Sequence, residues 1–137
     1  QAAVGAPAGD SVFGTDYPTS DGTGVRDYIH VEDLADAHLR AVDFLRAGGA
    51  SATLNCGYGH GYTVREVLRT VEQLNGQPLR VTESPRRAGD PPTLVARADR
   101  IRQVLGWRPR HDDLETIVAT QLAWERTLQA HPELCRN

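Results

Sequence analysis

The sequence predicts an α/β fold, and three observations carry that expectation. Short apolar runs of strand type alternate with stretches whose apolar residues recur at helical spacing. The helical stretches bring start and stop signals of their own. Between them lie clusters of Gly, Pro, Asp and Thr, the chemistry of turns. At 137 residues the chain suits a single domain over 1–137, large enough for an apolar core.

Taken in chain order, the first 25 residues read as loops around one or two short strands, with an apolar island at "SVFG", residues 11–14. "YIHV", residues 28–31, reads as a strand. Glu32 or Asp33 then caps a helix whose apolar positions Leu34, Ala37, Ala41, Val42 and Leu45 keep helical spacing, and Gly48 and Gly49 end it. "ATLNC", residues 52–56, reads as the next strand. The clearest helix follows in "TVREVLRTVEQLNG". Thr63 and Glu66 form a capping box, Val64, Val67, Leu68, Val71 and Leu74 form a stripe to bury, and Gly76 stands at the stop. Residues 79–83 alternate as a strand. A short helix over 99–105 and a long one from about 113 to 129 complete the pattern. The long helix is expected to bury Leu114, Ile117, Val118 and Leu122, with Trp124 and Leu128 at its flanks. There are no internal repeats.

Composition closes off several functions. A net charge of -3 argues against a domain that coats nucleic-acid phosphates, which needs a basic excess. No apolar run is long enough to span a membrane, and no signal peptide is visible. The two cysteines, Cys56 and Cys135, match no metal or redox spacing, so a reduced, cytoplasmic setting is expected. All 15 basic residues are arginine, which removes every mechanism that needs a lysine within this chain. The absence of methionine and the abrupt start at Gln1 read as a piece of a longer protein; removal of an initiator methionine alone gives the same start.

Candidate chemistry concentrates in two loops. The five histidines, His30, His38, His60, His111 and His131, show no ligand spacing in sequence and read as surface or capping residues, so no metal site is expected. Asp112–Asp113 and Glu32–Asp33 fall at helix starts, where they complement the dipole. "CGYGHGYTVREV" runs strand, glycines, helix. Its glycines at 57, 59 and 61 give G-x-G-x-G rather than a dinucleotide fingerprint, and no acidic ribose reader follows, so a tight turn is expected. "SPRRAGDPPTL", residues 84–94, is a stiff exposed loop with two arginines and an aspartate. Arg26 lies on a second glycine-rich turn. Two arginines from separate loops can clamp a diphosphate through charge-assisted hydrogen bonds, and an aspartate beside them can accept from ribose hydroxyls.

"FGTDYPTSDGTGVRDYIHVEDLADAH", residues 13–38, closely resembles the C-terminal half of the UDP-glucose 4-epimerases (UDP-galactose 4-epimerases) of the extended short-chain dehydrogenase/reductase family. "RRAGDPP", residues 86–92, and "LGW", residues 105–107, follow in that family's order and spacing. The resemblance runs from about residue 11 to 124. It implies the C-terminal substrate-binding lobe of an extended short-chain dehydrogenase/reductase, with short strands, about four helices and the Rossmann half absent.

The resemblance further implies a division of labour. The absent N-terminal Rossmann half binds NAD and holds the catalytic Ser/Thr and Tyr-x-x-x-Lys, so this chain supplies no catalytic and no cofactor-binding residue. Ser11, Val12 and Phe13 are expected to line the uracil pocket, and Arg26 to meet the diphosphate. Arg87, Ala88, Gly89 and Asp90 are expected to engage phosphate and ribose, and Leu94 to border the sugar pocket, leaving acceptance of N-acetylated sugars open. The implied partners are a UDP-sugar and the Rossmann half of the same protein, with neither nucleic acid nor membrane involved. The chain alone is expected to be inactive and to expose an apolar patch. The rival readings are a related nucleotide-sugar epimerase or dehydratase, or a non-catalytic nucleotide-sugar-binding module.

Overall fold

The computed structural model describes residues 10–135. In chain order it runs β1 (Asp10–Phe13), β2 (Val25–Arg26), α1 (Val31–Arg46), β3 (Tyr62–Thr63), α2 (Val64–Asn75), β4 (Val81–Ser84), β5 (Thr93–Leu94), α3 (Asp99–Leu105) and α4 (Leu114–Ala130), closing on a 3-10 turn at Pro132–Cys135. The mixed α/β class is as expected. No helix among the described residues is long and apolar enough to cross a membrane.

Two small sheets organise the loops. β1 pairs in parallel with β4, Phe13 lying opposite Ser84. β2 is the centre of the other sheet, antiparallel to β3 and parallel to β5, so Arg26 lies opposite Tyr62 on one side and Leu94 on the other. A first core cluster joins Ala37, Tyr58, Ala98, Ile101 and Trp107. A second joins Leu114, Val118 and Leu122 of α4, against which Val67 and Val71 of α2 pack.

The best-signalled elements form as read. Thr63 caps α2, its hydroxyl accepting from Glu66 N–H at 3.1 Å while the Glu66 carboxylate takes Thr63 N–H at 2.6 Å. Gly76 ends α2 in the left-handed region at φ 72°, where only glycine is free of steric cost. α4 starts on Asp113, which accepts from Thr116 N–H at 2.8 Å. The strand expected over 79–83 begins two residues late, at Val81–Ser84.

Two strand predictions fail, each for a visible reason. Residues 28–31 form no ladder, because the backbone there is claimed by side chains: His30 N–H donates to the Tyr58 hydroxyl at 3.0 Å. The sheet ends just before, where the Asp27 carboxylate accepts from Tyr58 N–H at 3.3 Å and Ala96 N–H at 3.2 Å. Residues 52–56 find no neighbouring strand among the described residues. Leu54 and Cys56 still pack against the core.

The cap and the buried faces also shift. His30, not Glu32 or Asp33, is the N-cap of α1; its ring accepts from Glu32 N–H at 3.1 Å. Asp33 is instead buried. On α1 the interior takes Ala37, while Val31, Leu39, Val42 and Leu45 stay exposed. The α2 stripe is half-buried rather than buried, and Leu74 is exposed. Its inner members Val64, Val67, Leu68 and Val71 line a groove of about 480 Å³ against α4.

Candidate functional site

The turn that carries Arg26 is wired from within. Asp21 accepts from Thr23 N–H at 3.0 Å and from the Thr23 hydroxyl at 2.6 Å with one oxygen, and from the Thr63 hydroxyl at 2.6 Å with the other. Burial pushes the Asp21 carboxyl pKa up, but those hydrogen bonds and nearby Arg69 pull it below its ordinary value. Gly22 sits at φ 82°, with the Thr15 carbonyl oxygen 2.2 Å from where a Cβ would stand, so the turn closes only around glycine. Thr23 and Thr63 are both buried. Arg26 is therefore held on a firm base.

The Arg26 guanidinium folds back over the turn. Its Nη1 donates to the Val25 carbonyl at 2.7 Å, and a Cβ on Gly24 would lie 3.0 Å from that nitrogen. Its Nη2 forms an ion pair with Asp90. The two side chains are 25% and 31% exposed, enough shelter to strengthen the pair over a fully solvated one.

The loop after β4 supplies the other half. Gly14 N–H donates to Ser84 O at 2.8 Å, fixing the exit of β1 to the start of this loop. Arg86 Nε donates to Asp16 at 2.6 Å, with the guanidinium 4.2 Å from the centre of the Tyr17 ring. The Arg87 guanidinium lies 3.7 Å from the centre of the Phe13 ring, cation over π face. A turn then reverses the chain: Gly89 takes φ 80°, and Asp90 N–H donates to Arg87 O at 3.2 Å. Val25 N–H donates to Pro92 O at 2.8 Å, closing the loop onto the second sheet.

Of the residues singled out in sequence, Phe13, Arg26, Arg87 and Asp90 are thus linked through one loop, with Ala88 and Gly89 at its exposed tip. Leu94, 60% exposed, stands beside Arg26 in register. Ser11 and Val12 lie apart from this linkage. Ser11 lines the α2–α4 groove, and Val12 is buried at 3% exposure.

Sequence reasoning missed Asp16 and Arg86 as a pair, Asp21 as the turn's anchor, and Asp33. Asp33 accepts from Arg110 N–H, His111 N–H and the Tyr58 hydroxyl at 2.8–2.9 Å. The Asp-x-Thr spacing at Asp21–Thr23 was the available local signal, since an aspartate that bonds two residues on makes a turn. Nothing local marks Asp33, whose partners lie 25 to 78 residues away.

The fold does bring histidines together. His30, Glu32 and His111 place potential ligand atoms within 4.8 Å of one another. The His30 ring is already engaged at both nitrogens, by Glu32 N–H at 3.1 Å and Thr120 Oγ1 at 2.9 Å, which suits a capping residue better than a metal ligand. The glycine turn at 57–61 does not fit a dinucleotide. A Cβ at Gly57 would stand 2.3 Å from Asp27 Oδ2, and one at Gly61 would stand 2.8 Å from Arg26 O. The space beside those glycines is filled by the protein's own atoms, whereas a pyrophosphate needs it open.

Most of the chain is similar to known proteins. Residues 8–57 match the NAD dependent epimerase/dehydratase family. The UDP-glucose 4-epimerase of Azospirillum brasilense is 57% identical over 129 residues, which cover 94% of this chain and 37% of that protein. The chain is a partial homologue of the UDP-glucose 4-epimerases. It spans little more than a third of their length. Among epimerase structures, that from Stenotrophomonas maltophila, with bound NAD and formylated UDP-arabinopyranose, superposes with a TM-score of 0.87 at 43% identity, covering 95% of this chain and 38% of that one. The Bifidobacterium longum epimerase, in complex with NAD+ and UDP, gives 0.81 at 38% identity over 92% of this chain and 37% of that one.

Proposed function

We propose that this chain is the UDP-sugar-binding, C-terminal portion of a UDP-glucose 4-epimerase that interconverts UDP-glucose and UDP-galactose. The observation that carries the reading is the loop over residues 86–90. It ties Arg87 to the ring of Phe13 and Asp90 to Arg26, so an aromatic ring and two guanidinium groups are linked through one short loop between the two sheets. In this reading Phe13 faces the uracil, with Ser11 and Val12 only supporting it as strand neighbours, and Arg26 and Arg87 take the diphosphate. Ala88, Gly89 and Asp90 shape the phosphate and ribose end, and Leu94 borders the sugar.

When bound to an N-terminal Rossmann half, NAD supplies reversible oxidation at carbon 4 of the hexose. The residues of this chain contribute by holding the part that does not react. A firm grip on the nucleotide leaves the sugar free to present either face, which is where binding energy is best used. The chain has no lysine and hence no Tyr-x-x-x-Lys, so catalysis falls to the Rossmann half and the chain alone is inactive. The exposed apolar side of α1 (Val31, Leu39, Val42, Leu45) and the unpaired segment 52–56 suit a surface covered by that half.

Calorimetry with UDP tests the reading. Binding is expected, and Arg26→Ala and Arg87→Ala should each weaken it by about 10-fold or more, the worth of one charge-assisted hydrogen bond. No binding, or binding indifferent to Arg26→Ala, defeats it, as would conversion of UDP-galactose by the chain alone.

A further inference from the structure

Arg26 is the residue most expected to take a phosphate, yet in the free protein it is already engaged. Its Nη1 is bonded to the Val25 carbonyl and its Nη2 to the Asp90 carboxylate. The guanidinium lies flat along Gly24, where even a methyl group would stand 3.0 to 3.4 Å from three of its atoms. Arg87 differs: its cationic face rests on Phe13, a contact that leaves its N–H edge available to an anion. The two arginines of the loop region are therefore not equivalent. Among the described residues, one is pre-neutralised by a carboxylate and the other is not.

We propose, building on the diphosphate reading above, that Asp90 is a positioning residue that acts as an internal counter-ion: it holds Arg26 in place while the site is empty and competes with the ligand's phosphates for it. Two consequences follow from charge alone. A carboxylate beside an anion site repels the anion that enters it. The same carboxylate spares the half-sheltered guanidinium from standing unpaired when no ligand is present. Asp90 follows Arg87 through the turn at Gly89, its N–H donating to Arg87 O, so both side chains leave the same short segment. A carboxylate whose only task is to accept from ribose hydroxyls would have no need to sit on Arg26.

The test uses the full chain, isotope-labelled and titrated by NMR with inorganic pyrophosphate, with uridine and with UDP. Asp90→Asn removes the charge and keeps the shape. It is expected to bind pyrophosphate about 3- to 10-fold more tightly than the wild type, the effect of removing one like charge near a polyanion at an intermediate dielectric. Asp90→Glu restores the charge and is expected to return to the wild-type affinity. The gain vanishes when Arg26→Ala is combined with Asp90→Asn, because the effect runs through that arginine. Unchanged amide dispersion in each spectrum verifies folding. Pyrophosphate affinity that is unaltered or weaker in Asp90→Asn overturns the proposal, as does a gain that survives loss of Arg26. Weaker uridine binding with unaltered pyrophosphate binding would make Asp90 a ribose acceptor alone and overturn the counter-ion role while leaving the diphosphate reading intact. UDP binding that ignores Arg26→Ala defeats the diphosphate reading itself.

Discussion

Tyr58 donates its hydroxyl hydrogen to Asp33 over 2.8 Å, while the same oxygen accepts His30 N–H at 3.0 Å. This pair joins the glycine turn after residue 56 to the first turn of α1. Asp33 also receives Arg110 N–H and His111 N–H, each at 2.9 Å, and its carbonyl accepts from Trp107 Nε1 at 3.1 Å. One 1%-exposed carboxylate thus fixes three segments that are remote in sequence.

Replacing Asp33 with Asn is expected to destabilise the fold by about 2–4 kcal/mol, because an amide cannot accept from three donors and leaves buried N–H groups unmet. Thermal unfolding followed by circular dichroism measures this. A melting temperature within error of the wild type would remove Asp33 from its central place.

The same group makes stability depend on pH. Burial pushes the Asp33 pKa up, but Arg110 N–H, the Tyr58 hydroxyl, His111 N–H and the His111 charge outweigh it, and the net shift is downward. A carboxyl with a lowered folded-state pKa contributes stability that is complete above its unfolded value and fades as pH falls through the folded one. The melting temperature should hold near neutrality and drop below about pH 4. In Asp33→Asn the acid side of that profile should be shallower, since its share is gone; a parallel profile contradicts the assignment.

Thr63 serves α2 and the Arg26 turn together. Its hydroxyl accepts from Glu66 N–H and donates to Asp21. Thr63→Ala should cost about 1–2 kcal/mol as a lost cap. Thr63→Ser keeps both bonds and should recover most of that loss. Equal losses in the two variants would show that the methyl group, not the hydroxyl, carries the stability.

What could be read from the sequence was what neighbouring residues decide. The Thr63–Glu66 box, the Gly76 stop and the start of α4 at Asp113 all depend on contacts within four positions. The strand predictions at 28–31 and 52–56 went astray because apolar composition describes a strand's side chains, whereas a strand exists only where a second strand takes its hydrogen bonds. At the candidate site, resemblance pointed to Phe13, Arg26, Arg87 and Asp90 individually. That Asp90 would lie on Arg26, 64 residues away, was beyond any local pattern.

The two tryptophans offer an optical test of the packing. Trp107 is fully buried and Trp124 is 51% exposed. Acrylamide should quench the fluorescence as two populations. Trp124→Phe should remove the accessible one and leave a blue-shifted, protected emission from Trp107. Free quenching in that variant would mean that the cluster of Ala37, Tyr58, Ala98 and Ile101 does not enclose the indole.

The glycine turn at 57–61 separates a packing role from a cofactor role. At Gly57 a Cβ would stand 2.3 Å from Asp27 Oδ2 and 2.9 Å from the Ala96 Cβ, displacing the carboxylate that accepts from Tyr58 and Ala96 N–H. Gly57→Ala should therefore lose about 1–3 kcal/mol through overpacking. At Gly59 the space is open but φ is 89°, so Gly59→Ala meets only backbone strain of about 1–2 kcal/mol. Combining Gly57→Ala with Asp27→Ala relieves the clash at Gly57 and should make the alanine less costly there than in the wild-type background, whereas Asp27→Ala should leave the cost of Gly59→Ala unchanged. Additive losses at Gly57 would show that Asp27 does not set the size limit, and the close approach of these two segments would have to be explained by the Ala96 contact alone.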